Sequence, residues 1–236
     1  MIAASAITES ARGHFCSFID EALVATSAVH HGGADTLLVM LPGALMTPQH
    51  MEQAGILAAV QQRGLPLDLI APDLHALEGC NRAALHALAV GLLLPARAHY
   101  RQVWLGGISR GGQLALSCLA EHAALVDGLC LIAPYAGSRL TTNAIRRAGG
   151  IDAWQASPAQ WQDPEFRLWQ WLKQPDIQIP VFMGYGAHDR FADGMALLAA
   201  RLPSAHHCQL PGAHDWPVWQ RLWAQFLDLG FFARRS

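Results

Sequence analysis

The chain has 236 residues, of which 52% are hydrophobic and 14% charged, with a formal net charge of -2. That composition excludes a disordered or fibrous chain and suits one large α/β domain with a generous core. No basic face or run makes a case for nucleic acid or an anionic membrane, and no apolar stretch reaches the ~20 residues of a bilayer span.

The first elements in chain order are two short β-leaning runs, His14 to Ile19 and Leu23 to Val29, which read as an edge hairpin about Asp20-Glu21. His30-His31-Gly32-Gly33 breaks the chain before Thr36 to Leu41, a continuous apolar run of the buried-strand kind that Pro42-Gly43 ends. Thr47-Pro48 supplies an N-cap and a first-turn proline for a helix to about Gln62, closed by Arg63-Gly64. Leu67 to Ala71 is the next strand, with Pro72-Asp73 at its exit. Asn81 is placed to cap a long helix toward Tyr100, in which Gly91 and Pro95 can bend or divide the rod.

Val103 to Ile108 reads as a buried central strand that runs into Gly107-Ile108-Ser109-Arg110-Gly111 and then an apolar helix. Gly128 to Ala133 and Val181 to Tyr185 are further buried strands. Asp193 suits the N-cap of a helix through Leu202, His207 to Leu210 a short strand, and Val218 to Phe232 a closing amphipathic helix. Strands alternating with helices imply a mostly parallel sheet covered on both faces. One segment departs from the rhythm. Gly137 to Pro175 carries Trp154, Trp161, Trp169 and Trp171 between prolines, and reads as an insertion packed over the sheet edge within the same domain.

Five cysteines, Cys16, Cys80, Cys118, Cys130 and Cys208, show no Cys-x-x-Cys spacing and read as buried thiols of a reducing compartment. The N-terminus has no basic region followed by an apolar core and a small-residue cleavage site, so a cytoplasmic protein is expected. Arg146-Arg147 and Arg234-Arg235 read as solvated surface.

A serine needs presentation, a base and stabilisation of the charge that follows before it becomes a nucleophile. Gly-x-Ser-x-Gly at a strand-to-helix turn does the presenting: it strains the serine backbone, projects Oγ beyond the sheet and sets it at a helix N-terminus. Gly107 and Gly111 give the clearance that turn requires, extended by Gly106 and Gly112. Ligands bind beyond the carboxyl ends of strands in open α/β sheets, which selects the other partners. Asp189 follows the Val181 strand, and His214 follows the last strand within Pro211-Gly212-Ala213-His214-Asp215. Asp193 fits a cap better, His188 adjoins the acid and would diverge from it, and Asp215 cannot orient its own neighbour. His30-His31, His206 and His207 have no ligand set completing a metal site. Met46 and Tyr135, each after a strand end, are candidate pocket residues.

Ser109, Asp189 and His214 in that order, with the Leu41-Pro42-Gly43-Ala44 loop and Gly212-Ala213-His214, resemble the α/β-hydrolase superfamily of serine hydrolases. The resemblance spans nearly the whole chain. It implies one domain over residues 1–236, with an eight-stranded sheet and a short helical cap, residues 137–175, between strands six and seven. It assigns the oxyanion hole to the backbone N–H groups of Arg110 and Ala44, with Leu45 the alternative, since Pro42 has no N–H to offer. The implied chemistry is ester hydrolysis through an acyl-enzyme on a small-molecule substrate, with no cofactor and no metal. A tryptophan-rich insertion would favour an apolar acyl or alcohol portion. Two alternatives accompany it. One is a thioesterase or acyltransferase for CoA- or carrier-bound acyl groups, in which Arg139, Arg146 and Arg147 meet a phosphopantetheine phosphate or remain plain surface. The other is a non-catalytic binding protein on the same fold.

Overall fold

A computed structural model of the chain describes residues 2–73, 82–202 and 205–233, with only the backbone described for residues 2–8 and Ala22. Seven strands form one sheet: β1 Ala28–His30, β2 Thr36–Leu41, β3 Asp68–Ala71, β4 Gln102–Ile108, β5 Gly128–Ile132, β6 Val181–Gly186 and β7 His206–Leu210. Their spatial order is β1-β3-β2-β4-β5-β6-β7, and every pair is parallel except β1 with β3. The continuous apolar runs explain the centre of the sheet. From Leu37 to Leu41 every side chain is fully buried, as a strand covered on both faces requires. Register aligns Leu41 with Gly107 and Ile108 with Ile132, so β2, β4 and β5 leave the sheet at one rim.

The count among the described residues is seven strands and not eight, because the expected N-terminal hairpin does not form. Its place is taken by helix α1 (Ile2–Cys16) and helix α2 (Glu21–Thr26), leaving only Ala28–His30 to pair as a strand. Ala11 and Phe15 are one helical turn apart and both buried, with Ile19 buried beyond the helix end. Helical spacing gathers those apolar groups on one side, which the weakly alternating pattern could not do as a strand. The insertion therefore falls between β5 and β6.

Between β2 and β3 the expected single helix is two, α3 (Pro48–Gln53) and α4 (Ile56–Gln62), separated by Gly55 at φ 79°. Thr47 caps α3 through its hydroxyl, which accepts the His50 N–H, while His50 Nδ1 accepts the Thr47 N–H. Before β4 run α5 (Arg82–Leu88), a wide π turn over Ala89–Leu93 and α6 (Leu94–His99). The π turn precedes Pro95, whose ring and missing N–H a regular helix would not accommodate. Asn81, Cys80 and Arg234-Arg235 lie outside the described residues.

Helix α7 (Arg110–His122) follows β4, and α8 (Arg139–Arg147) and α9 (Pro164–Trp171) belong to the insertion. The insertion is tied down at its start: Trp169 Nε1 donates to Ala136 O at 2.7 Å, and Glu165 Oε1 accepts the Ser138 N–H at 2.6 Å. Helix α10 (Ala192–Ala199) begins after Phe191, so Asp193 sits inside its first turn and does not cap it. Helix α11 (Trp216–Asp228) starts two residues earlier than its apolar pattern suggests, because Asp215 caps it by accepting the Val218 N–H at 3.3 Å. Helices cover both faces, with α7 against β4 and β5, and α11 against β5, β6 and α4.

Cys118 and Cys130 are buried as expected, but Cys16 is exposed and Cys208 half-buried. Among the described residues no helix is long and apolar enough to cross a membrane.

Candidate active site

Ser109 joins β4 to α7 with φ 53° and ψ -113°, a region that side chains rarely enter. The glycines around it leave no alternative. A Cβ on Gly111 would lie 2.1 Å from Leu41 O, and one on Gly107 would lie 2.2 Å from the Gly111 carbonyl carbon. The turn is thus pressed against the end of β2. Ser109 N–H donates to Ile132 O at 3.0 Å, and Ser109 O accepts N–H groups from Tyr135 at 2.8 Å and Gln113 at 3.2 Å. Those bonds over-determine the serine and offset a strain on the order of 1–3 kcal/mol.

Asp189 lies past the end of β6, its side chain fully buried. Oδ1 accepts the Phe191 N–H at 2.8 Å, which fixes the carboxylate and leaves Oδ2 facing His214 Nδ1 at 2.5 Å. A carboxylate accepts only, so that contact places the imidazole proton on Nδ1 and leaves an acceptor lone pair on Nε2. Nε2 stands 3.0 Å from Ser109 Oγ.

Two loops bring acid and imidazole together. Ala187 N–H donates to Leu210 O at 2.7 Å and His188 N–H to Gly212 O at 2.9 Å, zipping the segment after β6 to the segment after β7. Gly186 permits this approach, since a Cβ there would fall 2.4 Å from Gly212 O. Sequence reading passed over Gly186; the available signal was a glycine at the end of a strand whose neighbour also ends near a glycine. It also passed over Phe191 and Trp219, whose rings meet the His214 imidazole edge-on at 5.2 and 5.0 Å between centroids.

The other candidates sort themselves by position. His188 contributes only its backbone N–H and its side chain is exposed, His206 and His207 are exposed on β7, and the Asp193 side chain is 94% exposed. After β2, Met46 N–H donates to Gly43 O at 3.1 Å, closing a turn with Leu45 at φ 60°. Among the described residues no protein acceptor takes the N–H of Ala44, Leu45 or Arg110. Met46 is buried, its sulfur facing the Gly43 N–H at 3.4 Å. Tyr135 is half-buried, edge-on to Phe191 at 5.2 Å and beneath the Arg110 guanidinium at 5.8 Å. Burial first, then Glu165, pushes its phenol above the ordinary value, with Arg110 opposing. Trp154 and Trp169 are buried in packing, and Trp161 and Trp171 border a groove against α7.

A second polar cluster lies at the opposite rim, where β3 begins. Asp68 is fully buried and accepts from His31 Nδ1 at 2.6 Å, Tyr100 OH at 2.8 Å, Gly32 N–H at 2.7 Å and Ala34 N–H at 3.3 Å. His14 Nε2 bonds Tyr100 OH at 2.8 Å, and its ring stacks on His31 at 3.8 Å with planes 10° apart. His14, His31 and Asp68 thus present three ligand-type atoms within 4.8 Å of one another, a set scattered in sequence. An imidazole binds a metal in its own ring plane, and two parallel stacked planes cannot both contain one ion. As arranged, the cluster is a satisfied hydrogen-bond network.

No protein-family model matches the chain, and no curated protein matches it in sequence. Solved structures do resemble it. The fluorophosphonate-binding serine hydrolase FphF of Staphylococcus aureus superposes with a TM-score of 0.62 at 12% identity, over 83% of this chain and 82% of that one. A structure of the metagenome-derived lipolytic enzymes LipS and LipT gives 0.61 at 12% identity, over 89% and 98%. Est1E from Butyrivibrio proteoclasticus gives 0.58 at 12% identity, over 85% and 91%. Identities this low establish the fold alone: the chain has the α/β-hydrolase fold.

Proposed function

We propose that this α/β-hydrolase-fold chain is a serine hydrolase that cleaves carboxylic esters by acyl transfer from Ser109 to water. His214 Nε2 takes the hydroxyl proton as Oγ attacks the ester carbonyl, and Asp189 stabilises the imidazolium and holds its tautomer. The N–H groups of Ala44 and Arg110 hold the tetrahedral oxyanion, each such donor contributing about 2.7–4 kcal/mol to the transition state. The intermediate collapses as Nε2–H protonates the departing alcohol, leaving the acyl group on Oγ. Water, deprotonated by His214, then attacks the acyl carbonyl and restores the serine. Residues 137–175 serve as the cap over this site in a single domain, and Met46 and Tyr135 flank the substrate.

One contact supports this reading above all: a strained serine whose Oγ faces Nε2 at 3.0 Å while Nδ1 is engaged by a buried carboxylate at 2.5 Å. The test is covalent labelling with a fluorophosphonate probe, located by mass spectrometry, beside a panel of esters and thioesters graded by chain length. Wild type should be labelled at Ser109 and turn over part of the panel, while Ser109→Ala should do neither. Folded wild-type protein that resists the probe, or equal turnover by Ser109→Ala, would remove the mechanism and favour a binding role.

A further inference from the structure

A cavity of about 250 Å³ opens between α8 and the start of α10, with Phe191 and Ala136 in its wall. Helix α8 turns Arg139, Thr142, Asn143 and Arg146 toward it. Those positions fall at i, i+3, i+4 and i+7, a single stripe of one helix face. Arg190, from the loop after β6, adds a third guanidinium. These groups are poorly neutralised. Among the described residues Arg139 has no ion pair or side-chain hydrogen bond, and Arg190 rests over the Phe191 ring at 4.8 Å. Arg146 donates to Asn143 Oδ1 at 2.9 Å and meets Asp193, the one acid among the described residues of the cavity wall, only at 4.0 Å. Glu165 nearby is occupied by the Ser138 N–H and the Thr141 hydroxyl.

We infer that this cavity is an anion subsite, and that the ester or thioester cleaved at Ser109 carries a carboxylate or phosphate which the three arginines hold. The inference rests on the esterase reading and names its substrate class. Guanidinium groups stay charged at any working pH, and their planar donor pairs match carboxylate and phosphate oxygens. The subsite adjoins the chemistry through two of its lining residues: the Phe191 ring meets the His214 ring edge-on at 5.2 Å between centroids, and Ala136 follows Tyr135, whose N–H is bonded to Ser109 O.

The experiment compares matched substrates on wild type, single Arg139→Ala, Arg146→Ala and Arg190→Ala variants, and the triple variant. Aryl hemiglutarate against aryl butyrate places a carboxylate on the acyl side. Butyryl-CoA against butyryl-N-acetylcysteamine places phosphates on the leaving group. Wild type should favour the anionic member of one pair by about tenfold or more in kcat/KM, chiefly through KM. The triple variant should lose that preference while turning over the neutral members as before, and Asp193→Asn should strengthen it. Equal rates for both members of both pairs, or a preference the triple variant retains, would overturn the inference. Titration with inorganic phosphate and glutarate, followed by NMR, decides the site independently of turnover. Saturable shifts at α8 that vanish in the triple variant support it, and their absence from wild type refutes it even where no ester is cleaved.

Discussion

Ser109 and His214 are 105 residues apart in the chain and 3.0 Å apart between Oγ and Nε2. Nothing local holds them there. The serine is fixed by the junction of β4 with α7, the histidine by the loop between β7 and α11, and Asp189 by its own turn after β6. The site is the product of three strand ends that happen to share one rim.

Asp189→Asn separates the charge of that carboxylate from its shape. The amide can still accept the Phe191 N–H, so the fold should survive with a melting temperature close to wild type. It presents either a neutral oxygen or an N–H to His214 Nδ1, which weakens or reverses the tautomer preference. We expect kcat to fall by about 10³–10⁴-fold. Steady-state kinetics beside thermal melting checks this, and unchanged kcat would mean Asp189 is only a loop anchor.

Replacing Ser109 by two residues reads the strain in the turn. Both Ser109→Ala and Ser109→Gly remove the hydroxyl and should abolish turnover. Alanine retains the positive-φ penalty at φ 53°, whereas glycine does not. Ser109→Gly should therefore be the more stable of the two by about 1 kcal/mol, read by urea denaturation. The reverse order would show that the turn carries no strain.

At the far rim, Asp68 should matter for stability and not for rate. Asp68→Asn turns an amide toward donors that the carboxylate had accepted, leaving at least one buried donor unsatisfied at a cost of about 1–3 kcal/mol. Tyr100→Phe removes one of those donors and should cost about 1–3 kcal/mol. In the protein that remains folded, kcat should match wild type, because β3 starts at the edge opposite Ser109. A selective loss of kcat in Tyr100→Phe would contradict that separation.

The same region sets a dependence on pH. Burial holds His14 below its ordinary value of 6.5, helped by His31 and His99 and opposed by Asp68. Burial also holds His30 below 6.5, opposed by Asp68 and helped by His31. The unfolded chain then binds these protons at a higher pH than the folded chain does. Their contribution is complete above pH 6.5 and declines as pH falls through the lowered folded values. The melting temperature should drop on acidification from about pH 7.5 to pH 5.5, and a His14→Gln, His30→Gln double variant should show a smaller drop. An equal or larger drop in the double variant would reverse the sign assigned here.

The amino-acid order alone determined the repeating strand-helix plan and the glycine-bounded serine turn, and it named Asp189 and His214 as candidates to meet that turn. Each is written in a short window: an apolar run buried on both faces, a small-residue turn, an acid or imidazole directly after a strand. It misjudged the N-terminal segment, where Ala11 and Phe15 needed a surface to pack on before helix could be told from strand. Only the tertiary structure decided what lies between distant elements. It set Gly186 against Gly212, Phe191 both in the wall of the arginine cavity and against the His214 ring, and His14 with His31 about Asp68. Short-range propensities act through neighbours on the same backbone, whereas these meetings depend on how the strands order and align across the sheet, which no window of the chain encodes.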